Sequence, residues 1–127
     1  LLDPLVAELA KAENYAAVTT LMPDGTPQTH MMWVDATDTH LFVNTEIGRQ
    51  KYRNVVRDPR ITVMIMDRND PYRFAEVRGR VVGELAGKAA ADHINQLAKK
   101  YTGEPYWNPA DKRVIIKIAP VRTLIHR

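Results

Sequence analysis

The feature that most constrains this chain is a short strand that empties directly into a basic helix start. Leu41-Phe42-Val43 is an apolar run of strand character, and Thr45-Glu46-Ile47-Gly48-Arg49-Gln50-Lys51-Tyr52-Arg53-Asn54 follows it. The helix opened there is stopped at Asp58-Pro59, and Ile61 to Met66 returns as a nearly continuous apolar strand, expected to be buried on both faces. The first N–H groups of a helix have no partner inside it, which makes such a turn a ready anion site. The charge order sharpens this. The macrodipole favours acids in the first turn, yet Arg49 and Lys51 sit there. A bound phosphate would explain them. A basic, solvated surface helix would also explain them, and spacing alone leaves both open.

The rest of the chain is organised around that unit. Asp3-Pro4 reads as an N-cap and first helical residue, with Leu5, Val6, Leu9 and Ala10 at helical spacing after it. Tyr15 to Met22 and Pro27 to Val34 read as a hairpin closed by Pro23-Asp24-Gly25-Thr26. Thr29, Met31 and Trp33 then share one face of the second strand, and Gln28, His30, Met32 and Val34 the other. Asp35 to Thr39 is the next turn and His40 to Asn44 the next strand. In the central helix, Tyr52, Val55 and Val56 are expected to face the core, beside a row of Arg49, Arg53 and Arg57. Asp67 to Pro71 reads as a loop and Tyr72 to Leu85 as a long strand. Glu76, Arg78 and Arg80 lie on one face of it, as a solvated face, an ion-pair row or a dimer contact. Gly79 in mid-strand predicts a bulge or a close backbone approach. Lys88 to Tyr101 is an amphipathic helix, Tyr101 to Lys112 is irregular, and Arg113 to Leu124 is the last strand, with Pro120 at an edge or bulge. The short connections predict antiparallel strands in one domain over 1–127, a mainly β fold with peripheral helices.

Composition removes several chemistries. The chain of 127 residues has no cysteine and, by inspection, no serine, so thiolate nucleophiles, disulfides and a Ser-His-Asp triad are excluded. His30, His40, His93 and His126 show no metal-ligand spacing, and no metal is expected. The net charge of +3 suits small acidic ligands as well as RNA. Trp33, Tyr72 and Phe74 are too few and too scattered for a nucleic-acid platform. No apolar run is long enough to span a bilayer, and a cytoplasmic location is the expectation.

Several motifs, taken in order, resemble one family. They are Pro23-Asp24-Gly25-Thr26-Pro27-Gln28, Gly48 to Asn54, Arg57-Asp58-Pro59-Arg60, Asp70-Pro71-Tyr72-Arg73, Glu76-Val77-Arg78-Gly79 and Leu97 to Tyr101, with Arg113-Val114 and Pro120-Val121-Arg122 closing the set. Together they resemble the pyridoxamine 5'-phosphate oxidase-like split β-barrel flavoproteins, the FMN-binding split barrel. More narrowly they resemble the branch that uses the deazaflavin coenzyme F420.

The resemblance implies a cofactor phosphate held at Gly48, Arg49, Gln50 and Lys51, with Asn44, Thr45 and Asn54 nearby. It implies a ring lying along Thr29 to Trp33. For Met31 and Trp33, plain core is the other reading. It further implies a homodimer with the cofactor groove at the subunit interface. The 71–74 loop, with Tyr72, Arg73 and Phe74, would then reach the partner's cofactor. His30, Tyr72 and Arg73 are the candidate proton donors or stabilisers. The implied function is hydride transfer from reduced F420 to an unsaturated small molecule. The alternatives are an FMN oxidase or reductase of the same fold, and a flavin-, haem- or tetrapyrrole-binding protein without turnover. Arg53, Arg57, Arg60 and Arg73 could form a basic rim for the acidic tail of F420. Members that form pyridoxal have a basic C-terminal segment for their substrate phosphate; Thr123 to Arg127 leaves little room for one, which argues against that substrate.

Overall fold

The computed structural model describes residues 1–107 and 112–127. Its elements run α1 (Pro4–Lys11), β1 (Ala16–Leu21), β2 (Pro27–Met32), β3 (Asp35–Ala36), β4 (Leu41–Glu46), α2 (Gln50–Arg57), β5 (Arg60–Asp67), β6 (Asp70–Ala86), α3 (Lys88–Thr102) and β7 (Arg113–His126). All strand pairs are antiparallel, in one seven-stranded sheet of order β2-β1-β5-β6-β7-β4-β3. The sheet curls into a half-barrel. Val18 of β1 and Val43 of β4 have three strands between them in the sheet, yet both belong to one buried cluster with Val63, Val77 and Ile116. This is the mainly β split barrel that the sequence predicts.

Local chemistry accounts for the elements. Asp3 caps α1, its carboxylate accepting the Leu5 N–H at 2.8 Å, and Leu5, Val6, Leu9 and Ala10 are buried. The β1–β2 turn places Gly25 at φ 85°, where glycine carries no side-chain penalty. The long strands bend through bulges. The register of β6 on β7 shifts at Arg78/Gly79, where Gly79 pairs with Pro120. A Cβ on Gly79 would lie 2.6 Å from the Ala119 carbonyl oxygen, so glycine is what permits this close approach. Both the bulge and the position of Pro120 match the sequence reading.

Four expectations need correction. First, β5 is not buried on both faces: Ile61, Val63 and Ile65 are buried, Thr62 and Met64 are half-buried, and Met66 is exposed. A half-barrel has one inner face, and nothing among the described residues fully covers the other. Second, Val56 is exposed and Asn54 is buried in its stead. The orientation of α2 follows from Asn54, whose amide donates to Thr20 Oγ1 at 3.0 Å inside the barrel mouth. Third, the loop expected from Asp67 to Pro71 is only the turn Arg68-Asn69, and β6 starts at Asp70, so the strand read from Tyr72 onward stands and the 71–74 segment is not a loop. The Asp67 and Asp70 carboxylates accept the Asn69 and Tyr72 N–H groups and tighten that turn. Fourth, the segment after β2 holds the short strand β3 before the turn to β4. The irregular stretch expected after Tyr101 includes Pro109, which lies outside the described residues.

Candidate functional site

A cleft of about 320 Å³ opens where the end of β2, the end of β4, the N-terminus of α2 and the start of β7 meet. Met31, Trp33, Asn44, Thr45, Arg49 and Lys51 line it, so candidate residues distant in sequence converge there. One wall is cationic and the other aromatic.

On the cationic wall, Lys51 is half-buried and has no carboxylate within ion-pair distance among the described residues. Burial, and then the neighbouring charges of Arg49 and Arg113, hold its ammonium below the usual lysine range, while Glu46 opposes them. Arg49 and Arg113 share the same Glu46 oxygen, each at a long 3.4 Å. Three cations therefore face one carboxylate in a partly desolvated place, which is an arrangement that favours a bound anion.

Arg113 stood in the sequence only as part of the closing Arg113-Val114 motif and not among the candidate site residues. It is 8% exposed, and burial pulls its guanidinium below the ordinary arginine value. Asn44 fixes it, accepting from Arg113 Nε at 2.9 Å, while the Asn44 amide donates to the Ala90 carbonyl and to His93 Nδ1, both at 3.0 Å. All three bonds lie within the chain, so Asn44 positions Arg113 rather than presenting a free group to the cleft. The sequence signals for Arg113 were its place in that motif and a charged residue opening an apolar strand.

The aromatic wall is built from both ends of the chain. The Trp33 indole stacks on the Tyr101 ring, with centroids 5.5 Å apart and planes 6° from parallel. Tyr15 tilts onto Tyr101 at 5.4 Å, and Tyr106 meets Trp33 edge-on at 6.4 Å. The Arg113 guanidinium lies 5.3 Å over the Tyr106 ring, joining the two walls. The Tyr101 hydroxyl accepts the Val34 N–H at 3.1 Å, and burial pushes its pKa up to about 12. Tyr101 is therefore a neutral, fixed support. Tyr15 and Tyr106 join Met31 and Trp33 as a flat, soft surface that the sequence showed only in part.

The remaining candidates lie elsewhere in the protomer. Thr29 is exposed and bonds Thr19 across the hairpin at 2.8 Å. Gly48 gives its carbonyl to Arg53, and Gln50 and Asn54 bond each other at 2.8 Å, so these three shape α2 and do not line the cleft. His30 is exposed on β2. Tyr72 is 73% exposed at the start of β6. Arg73 is tied to Asp67 and Glu8, and Phe74 stacks on His126 at 5.2 Å. The basic rim expected from four arginines is also spent internally: Arg53 on Gly48 and Gln50, Arg57 on Leu21, Arg60 on Asp58, and Arg73 as above. Among the described residues no cluster of three His, Cys, Asp or Glu side chains could hold a metal ion, and no helix is long and apolar enough to cross a membrane.

With fold and cleft defined, the class is clear: the model of the pyridoxamine 5'-phosphate oxidase family matches residues 2–127, and the chain belongs to that family. Within it, the chain is similar to a solved F420 reductase, at 31% identity over 98% of both chains and a TM-score of 0.83. A conserved hypothetical protein from Mycobacterium tuberculosis shares the fold at 24% identity, covering 97% of this chain and 82% of that one, with a TM-score of 0.77. A putative pyridoxamine 5'-phosphate oxidase from Listeria innocua does so at 20%, covering 95% and 94%, with a TM-score of 0.72. No curated protein matches by sequence.

Proposed function

We propose that this protein is an oxidoreductase that holds coenzyme F420 in the cleft and reduces an unsaturated small molecule with it. The observation that carries this reading is the pairing of the three cations around Glu46 with the flat Trp33–Met31 surface. A phosphorylated tricyclic ring fits that donor set. Lys51, Arg49 and Arg113 hold the phosphate, while Met31, Trp33 and Tyr106 bear the ring. When bound, the reduced cofactor supplies a hydride. The chain then has to fix the ring, keep water off one face and place a substrate above it. The preference for F420 over FMN leans on the 31% identical F420 reductase, since the expected arginine rim is engaged within the protomer.

The working unit in this reading is a homodimer. Met31, Met66 and Leu124 are exposed on the outer sheet face, at 66%, 44% and 55%. A second copy would cover them and bring its own Tyr72 towards the cleft, which His30, Tyr72 and Arg73 of the same protomer do not line.

The test is a fluorescence titration of the purified protein with F420 and with FMN. Saturable F420 binding that weakens roughly tenfold to a hundredfold in Lys51→Ala is expected, as for loss of a charge-assisted contact of ~1.5–3 kcal/mol. Preference for FMN would move the protein to the flavin-using members. Binding of neither, or an unchanged Lys51→Ala, would overturn the assignment of the cleft.

A further inference from the structure

A second cavity, of about 470 Å³, lies across the Asn44–His93 hydrogen bond from the cofactor cleft. Its apolar walls come from Ala36, Phe42, Leu85 and Ile115, and His93 of α3 contributes the polar group that matters. The size is within the range of about 300–1,000 Å³ typical of small-molecule sites.

The hydrogen-bond network determines what His93 offers. Arg113 Nε can only donate, so the Asn44 atom 2.9 Å from it is the oxygen. The Asn44 nitrogen must then be the atom facing both the Ala90 carbonyl, which can only accept, and His93 Nδ1. His93 Nδ1 therefore accepts, and the ring proton sits on Nε2. Burial keeps the ring neutral, with Lys100 and Arg113 adding to that effect and Asp35 opposing it. Nε2–H has no acceptor among the described residues. A half-buried donor left in this way stands ready for an acceptor on a ligand.

Charge around the cavity selects the kind of acceptor. Asp35 and Glu84 line it against a single Lys117. Asp35 accepts the Ala36 N–H at 2.8 Å and Glu84 the Tyr52 hydroxyl at 2.8 Å, so both carboxylates are fixed in place. An anion is disfavoured beside two carboxylates, and a cation has nothing to offer an N–H donor.

We propose that this cavity is a second ligand site, separate from the cofactor cleft, for an uncharged, largely apolar molecule whose carbonyl oxygen accepts from His93 Nε2–H. The proposal does not rest on the cofactor reading.

The experiment uses the uncharged fluorescent aryl ketone prodan with the ¹⁵N-labelled full chain. Imidazole proton–nitrogen spectra of the free protein should show His93 as the Nε2–H tautomer. Adding prodan should shift His93 saturably, blue-shift the probe's emission, and leave His30 and His126 in place; His40, beside the cavity wall at Phe42, is not used as a control. His93→Phe keeps the wall and removes the donor, and should weaken binding about tenfold. Leu85→Trp fills the cavity from its exposed rim and should abolish binding. It leaves the buried core alone, and amide dispersion checks its fold. Naphthoate, the anionic counterpart, should bind at least tenfold less tightly. Prodan that leaves His93 unmoved, that binds the Leu85→Trp protein as it binds the wild type, or that shifts the Trp33 indole instead would overturn the site. Equal binding of naphthoate would overturn the assignment of an uncharged ligand.

Discussion

Lys51 shows how a single residue can be read in two ways until its surroundings are known. From spacing it was a base in a first helical turn, with no way to choose between phosphate and solvent. In the fold it is half-buried, short of a carboxylate, and crowded by Arg49 and Arg113. That crowding has a sign. The folded pKa lies below the unfolded one, so between the two the unfolded chain binds more protons, and stability of the free protein rises with pH there. Phosphate affinity runs the opposite way, because only the charged ammonium attracts the anion. F420 affinity should therefore begin to fall below the ordinary lysine range near about pH 10.4. Lys51→Arg should flatten this, and a series of dissociation constants from about pH 8 upward measures it. Asn44 gives a companion prediction. Removing its amide in Asn44→Ala leaves Arg113 Nε and His93 Nδ1 without partners, and should cost about 1–3 kcal/mol in chemical denaturation. A midpoint equal to wild type would show that water replaces the amide freely.

At the scale of elements, what could be read in the sequence was local chemistry. The Asp3 cap, the Gly25 turn and the amphipathic face of α3 each rest on residues within a few positions of one another. So does the Gly79 bulge, which needs only a glycine in a β-branched run. The errors came where long-range partners decide. Residue spacing favoured Val56 for the buried face of α2, but the bond from Asn54 to Thr20 spans 34 positions and turned the helix. Arg113 enters the cleft through a partner 69 positions away, which no window of sequence displays. The start of β6 was missed because Pro71 reads as a breaker, although a proline near a strand end is tolerated. Gly79 also carries the prediction at this scale. Gly79→Ala must move the Ala119 carbonyl or the Ile118 side chain, and should destabilise the fold by ~1–3 kcal/mol. Thermal unfolding of the variant tests this, and an unchanged midpoint would mean the β6–β7 bulge relaxes at no cost.

At the scale of the whole molecule, the outer sheet face and the incomplete cleft point to the same missing surface. The inner face of the half-barrel is sealed by one continuous core, whereas Met66 and Leu124 remain exposed on β5 and β7. The cleft has cations and a flat bed, but none of His30, Tyr72 and Arg73 of the same protomer lines it. A second copy packed on the outer face would answer both deficits at once. Leu124 allows a clean test, because its register partner on β6 is Glu76. Lysine at 124 would sit opposite that carboxylate, a favourable cross-strand pair, so Leu124→Lys should leave the protomer fold intact and act on the interface alone. Sedimentation at micromolar concentration should give a dimer for the wild type and a monomer for Leu124→Lys. F420 affinity should fall in parallel, because the monomer would keep its phosphate site and lose the partner's share of the groove. A wild-type monomer that still binds F420 tightly would instead place the whole cofactor site within one chain, and Tyr72 would then have no role from across an interface.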